Sequence, residues 1–260
     1  MIPFLIESAL LTHGLVSISQ EELSRRWPRE LDAIAWVDGG TVVIGTMEEF
    51  LPFRARASQL CRIDCDRLPS ALAEGISGAL TASGTMAVCR ERNIPLAVTC
   101  GMGGIGDIKG EELCPDLPAL RDIPVALIST SPKDMLDIPG TLRWLMTAGV
   151  QVLGVGTDRC TGYIFSSADV PLSGAFAGDR LPDSRPLLLL NGIPEEQRVS
   201  DLSLLAQGIA AGKQAEAEGR AYHPAANAAF DRLTQGLSSR IQLDSIIANG
   251  LLARHLTGRS

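Results

Sequence analysis

Unbroken apolar runs that alternate with helical segments constrain this chain more than any other feature. Residues 95–99, 125–130, 150–154 and 186–190 are apolar almost throughout, without a polar residue at every second position. A strand with one wet face alternates, whereas a continuous apolar run is buried on both faces. Segments of helical character separate these runs, as parallel strands require, because each parallel pair needs a long crossover. The pattern implies an α/β fold: three α/β/α layers around a mainly parallel central sheet, in one domain spanning residues 1–260. Ligands of such sheets bind at the carboxyl ends of the strands. Residues 99–106 and 130–133 fall on that edge.

Local signals fill in the outline. Residues 33–37 and 41–45 flank Asp38-Gly39-Gly40, a hairpin signal because glycine accepts positive φ. Ser19 with Glu22 forms a capping-box pattern opening a helix to about residue 26. Residues 78–92 read as a helix rich in small side chains, stopped at Asn93. A second helix is expected over 135–148, with Pro139 and Gly140 near its start. Ser200 is expected to cap a long helix to about residue 219, and helices over 225–233 and 243–255 close the chain.

Composition narrows the partners. The net charge of −7 argues against nucleic acid, which needs a dense basic footprint. No apolar run approaches the roughly 20 residues of a bilayer span, and the start Met1-Ile-Pro-Phe-Leu-Ile lacks a basic region and soon meets Glu7. The six cysteines show no paired C-x-x-C spacing. A cytoplasmic protein with free thiols, no membrane and a small-molecule partner is expected.

Of 23 basic residues only three are lysines, namely Lys109, Lys133 and Lys213. Lys133 follows the 125–130 run. A lysine there can act as a nucleophilic amine and form a Schiff base, which arginine cannot; the other reading is a solvated turn lysine. Glu7 sits between Leu5-Ile6 and Ala9-Leu10-Leu11. It is either a buried carboxylate with a raised pKa or a solvent-facing residue of an edge strand. Gly101-Met-Gly-Gly-Ile-Gly106 follows a strand and reads as a flexible ligand loop or a plain surface loop; it matches neither a dinucleotide fingerprint nor a P-loop. Arg62 could clamp a phosphate. Glu111, Glu112 and Asp116 could hold a hard cation or simply be solvated. His13 is either catalytic or a structural hydrogen-bonder.

Together these segments resemble the pseudouridine-5′-phosphate glycosidase family, also called indigoidine synthase A-like. The matching stretches run in order from Glu7-Ser-Ala-Leu-Leu-Thr-His-Gly14 through Arg67-Leu-Pro69, residues 75–86, residues 99–104, Asp116-Leu117, Lys133-Asp-Met-Leu-Asp137 and Val152-Leu-Gly154 to Asn191-Gly-Ile-Pro-Glu-Glu196 and Ile241-Gln-Leu243. The resemblance implies a trimeric α/β/α enzyme with bound manganese. Its reaction reversibly cleaves the C–C glycosidic bond of pseudouridine 5′-phosphate to uracil and ribose 5-phosphate. It implies Lys133 as the nucleophile at C1′ and Glu7 as the acid that helps open the ribose ring. Arg62, Ala82, Cys114 and Asp116 fall at substrate-contacting positions, and Glu112 at the manganese aspartate. Departures are visible. The histidine-arginine pair after the glycine loop is missing, Cys114 replaces serine, Pro132 replaces alanine, Arg240 replaces the asparagine before Ile-Gln-Leu, and Gly154-Val-Gly-Thr157 replaces Gly-Tyr-Gln-Thr. Two alternatives stay open: action on another heterocycle with ribose 5-phosphate, or a silent sugar-phosphate-binding homologue.

Overall fold

A computed structural model describes residues 2–109 and 112–258. Fourteen strands are formed among them: β1 Leu5–Ile6, β2 Ile34–Asp38, β3 Thr41–Gly45, β4 Cys61–Ile63, β5 Gly78–Leu80, β6 Leu96–Val98, β7 Gly101–Met102, β8 Ala126–Ser129, β9 Ser131–Pro132, β10 Gln151–Val155, β11 Arg159–Cys160, β12 Val170–Pro171, β13 Gly174–Phe176 and β14 Leu187–Leu190. The α-helices are α1 Gln20–Arg26, α2 Met47–Arg54, α3 Leu68–Ala73, α4 Ala82–Glu91, α5 Asp116–Asp122, α6 Ile138–Thr147, α7 Leu202–Ala217, α8 Tyr222–Leu233 and α9 Leu237–Leu256. Ten strands build the central sheet in the order β13-β10-β14-β8-β6-β1-β2-β5-β4, with β3 added on β2. All its pairings are parallel except β2 with β3 and with β5.

β6, β8 and β14 are buried on both faces, as expected, whereas β10, next to the outermost β13, is buried on one face only, with Gln151 exposed and Leu153 and Val155 half-buried. Leu96, Val98, Ala126, Ile128, Leu187 and Leu189 point into one core together with α1, α2, α8 and α9. Ala97, Leu127, Leu188 and Leu190 point into the other, with α3, α4, α5 and α6. The period of two along each strand therefore sorts side chains between two helical layers.

Several boundaries differ from the sequence expectation, each for a local reason. Residues 78–80 are strand β5, not the first turn of a helix. Thr81 is extended and its hydroxyl caps α4 by accepting from the Gly84 N–H. Asn93, expected as the stop, takes a positive φ of 55°, which asparagine tolerates. α6 starts at Ile138, because Asp137 caps it and Pro139 suits the first turn. Asp201 rather than Ser200 caps α7. α8 and α9 begin earlier than the apolar pattern suggested. The hairpin of β2 and β3 turns on Gly39 and Gly40 at φ 56° and 73°.

Two close approaches fix helices that frame the site. A Cβ on Gly84 would lie 2.2 Å from the carbonyl oxygen of Ile63, so only glycine lets α4 lie against the β4 backbone. On α7, Gly208 and Gly212 leave room for the rings of Phe230 and Tyr222 and so seat α8.

Candidate active site

A cavity of about 580 Å³ opens at the carboxyl edge of the sheet. Glu7 lines it as the first residue after β1. Its N–H bonds the Val98 carbonyl at 2.9 Å, which carries the β1–β6 ladder to this point. β1 lies between β6 and β2, so the edge-strand reading of Glu7 is overturned, and the residue is only 6% exposed. Thr99, the first residue after β6, donates its hydroxyl to Glu7 Oε1 at 2.7 Å. Burial pushes the Glu7 carboxyl up to about 7, against the opposing pull of the Thr99 hydroxyl and the positive charge of Lys133.

Lys133 reaches the same cavity by a different route. β9 pairs in parallel with β7, and the Lys133 N–H donates to the Met102 carbonyl at 3.2 Å. The glycine segment, expected to be loop throughout, thus begins as a strand that carries Lys133. Lys133 is half-buried, and its amine makes no hydrogen bond or ion pair among the described residues.

Asp116 ties the glycine segment to α4. Its buried carboxylate accepts from the Ser83 N–H at 3.0 Å and the Gly103 N–H at 2.8 Å. Ala82, first residue of α4, lines the cavity, so a helix N-terminus with its positive dipole end borders it. Cys114 lies against Gly103, where a Cβ would come within 2.1 Å of its Sγ. Arg62, half-buried on β4, and Arg67, just before α3, add guanidinium groups to the wall. All six expected catalytic and substrate-binding residues (Lys133, Glu7, Arg62, Ala82, Cys114 and Asp116) therefore line one cavity.

The remaining expected residues do not join them. His13 lies on a turn over Leu10–Gly14 outside the cavity wall, with a buried Nε2 that has no partner among the described residues. Burial and the neighbouring charge of Arg62 lower its pKa. Glu112 is exposed and does not line the cavity, and Glu111 lies outside the described residues. Asp116 has committed one carboxylate oxygen to each backbone N–H. Among the described residues no three or more His, Cys, Asp or Glu converge.

Other site residues carried no chemical signal of their own in the sequence, although Asp134 and Asn191 lie within the matching stretches. Asn249 of α9 donates to the Thr99 carbonyl at 2.8 Å and the Thr130 hydroxyl at 3.0 Å, and accepts from Asn191 at 3.0 Å. One amide from the far end of the chain thereby fixes the strand ends bearing Thr99 and Thr130. Asp134, beside Lys133, accepts from the N–H groups of Tyr163, Ile164 and Phe165 at 2.7–3.0 Å and from the Ser167 hydroxyl at 2.5 Å. That clamp delivers Tyr163 to the cavity, where its hydroxyl lies 2.8 Å from Cys100 Sγ and donates to Gln242 Oε1 at 3.4 Å. α8 contributes His223 and Asn227 to the wall.

A buried carboxyl poised near neutrality, a half-buried amine and a basic rim beside a helix N-terminus suit covalent chemistry on a phosphorylated carbonyl or anomeric carbon. Comparison with known proteins gives the same direction. The family described as indigoidine synthase A like protein matches residues 5–257. Pseudouridine-5′-phosphate glycosidase of Methylobacterium nodulans is 28% identical, over 96% of this chain and 81% of that protein. The glycosidase of the same name from Thermus thermophilus is 28% identical, over 95% of this chain and 94% of that protein. The prealnumycin C-glycosynthase AlnA, solved with ribulose 5-phosphate, superposes with a TM-score of 0.76 at 25% identity, covering 98% of this chain and 91% of its own. An indigoidine synthase A-like protein of Thermotoga maritima has the same fold, with a TM-score of 0.76 at 20% identity.

Proposed function

Because the chain belongs to the indigoidine synthase A-like family, we propose that it is a C-glycosidase that cleaves, or in reverse forms, the C–C bond of pseudouridine 5′-phosphate. The carrying observation is that Lys133 and the buried Glu7 share one cavity with Arg62. The relatives named pseudouridine-5′-phosphate glycosidase and the pentose phosphate bound to AlnA support the substrate class.

The Lys133 amine, in its free-base form, attacks C1′ of the sugar. The C1′–O4′ bond breaks, and protonated Glu7 gives its proton to O4′. The secondary ammonium formed at C1′ returns a proton to the Glu7 carboxylate, and the bond from C1′ to C5 of uracil then breaks. Its electron pair goes to the heterocycle carbon, which takes a proton, while the nitrogen lone pair closes an iminium at C1′. Water hydrolyses the iminium to ribose 5-phosphate and free Lys133. A carbon leaving group needs such a nitrogen electron source, because no heteroatom leaves. The phosphate fits the guanidinium of Arg62 and the start of α4.

Sodium borohydride with ribose 5-phosphate should add one sugar mass to the peptide containing Lys133, and Lys133→Ala should abolish both this adduct and turnover. An unmodified peptide from folded protein rejects the mechanism. The likeness to AlnA favours a second reading, in which another heterocycle replaces uracil; a panel of heterocycles with ribose 5-phosphate decides between them. Manganese held by Glu112 stays a proposal outside these steps, tested by metal analysis before and after chelation. A trimer and a cytoplasmic location are further proposals, the first checked by sedimentation and the second by cell fractionation.

A further inference from the structure

We propose that Asn227 reads the amide edge of the heterocycle. The inference rests on the pentose-phosphate reading above and adds the residue that selects the base. The cavity's cations and its reactive pair come from the sheet edge, β4 and the turn before α3, which accounts for the phosphate and the sugar carbon. α8 adds a different chemistry with His223 and Asn227, four residues apart and so on one face of the helix. His223 Nδ1 lies 3.3 Å from Met135 Sδ. Asn227 is half-buried, and its carboxamide makes no hydrogen bond with any described residue.

The other amides around the site are committed. Gln242 accepts from Tyr163 and donates to the Ser238 carbonyl. Asn249 and Asn191 bond to each other, and Asn249 also bonds the Thr99 and Thr130 strand ends. The Asn227 carboxamide therefore offers the cavity a donor and an acceptor side by side. The ligand edge that satisfies both at once is a carbonyl next to an N–H, which is the lactam edge of a pyrimidine such as uracil.

The test runs synthesis from ribose 5-phosphate with uracil, 1-methyluracil and 3-methyluracil, using wild type, Asn227→Ala and the isosteric Asn227→Asp. Wild type should reject at least one methyluracil by about tenfold or more, because a site built to bond an N–H is left unpaired by its methylated analogue. Both variants should lose that discrimination and raise KM for uracil about tenfold, with the borohydride adduct of ribose 5-phosphate unchanged. Discrimination kept in the variants, or a parallel fall for every base, overturns the assignment. So does wild type that forms the adduct yet converts none of the three bases. Wild type that forms no adduct rejects the reading of Lys133 instead. Calorimetric binding of uracil then still decides Asn227, since equal affinity in wild type and variants overturns it.

Discussion

At the residue scale the chemistry turns on Glu7. A carboxyl raised from 4.5 to about 7 is an acid at neutral pH only because burial makes its charged form costly. That cost has a direction. The folded-state pKa lies above the unfolded one, so the neutral acid's full contribution to stability is present below about 4.5 and is lost as pH rises through 7. The shift corresponds to about 3 kcal/mol at most. Glu7→Gln should therefore match wild type in urea unfolding at pH 4 and exceed it at pH 8.5 by an amount of that order. The same variant cannot give a proton to O4′, and kcat should fall about 10²–10⁴-fold. In wild type, the step that needs protonated Glu7 should weaken above pH 7. Thr99→Val removes the hydroxyl that favours the charged form, so this limb of the pH–rate profile should move to higher pH.

At the element scale, residue identities suggested the reactive groups, while short strands and caps placed them. Lys133 was legible as a lysine near a strand end, but the pairing of β7 with β9 that carries it was not. Two-residue strands have too little pattern to see, and Gly101-Met102 reads as loop by composition. The start of α4 was hidden in the same way. Gly78 favours neither helix nor strand and Ala79 and Leu80 favour helix, so pairing with β2 and β4 overrides local propensity. Gly84 permits that arrangement, so Gly84→Ala should cost about 1–3 kcal/mol in denaturant unfolding, since the added methyl meets Ile63 backbone. Asp134 has a comparable role at the other side of the site. Asp134→Ala strips four donors of their acceptor. It should cost about 3 kcal/mol or more and free residues 163–167 to faster amide exchange, while wild-type protection there would reject the clamp.

At the scale of the whole molecule, binding and folding are coupled through the strand ends. Ribose 5-phosphate that binds only the folded chain should stabilise it by about 2.7 kcal/mol at a hundredfold excess over Kd. Arg62→Ala should remove most of that gain in thermal unfolding without lowering the stability of the free protein, because its guanidinium makes no hydrogen bond or ion pair with a described residue. The sequence by itself determined the three layers, since runs such as Leu187–Leu190 have no wet face and must be covered twice. It also determined which groups could react, because amine and carboxylate chemistry belongs to the residue type. Only the tertiary structure decided that Glu7 is buried, that Asn249 holds Thr99, and that Asn227 meets the cavity without a partner. Burial and hydrogen-bond partners depend on neighbours far away in the chain, as between Thr99 and Asn249, 150 positions apart, and no local pattern records them.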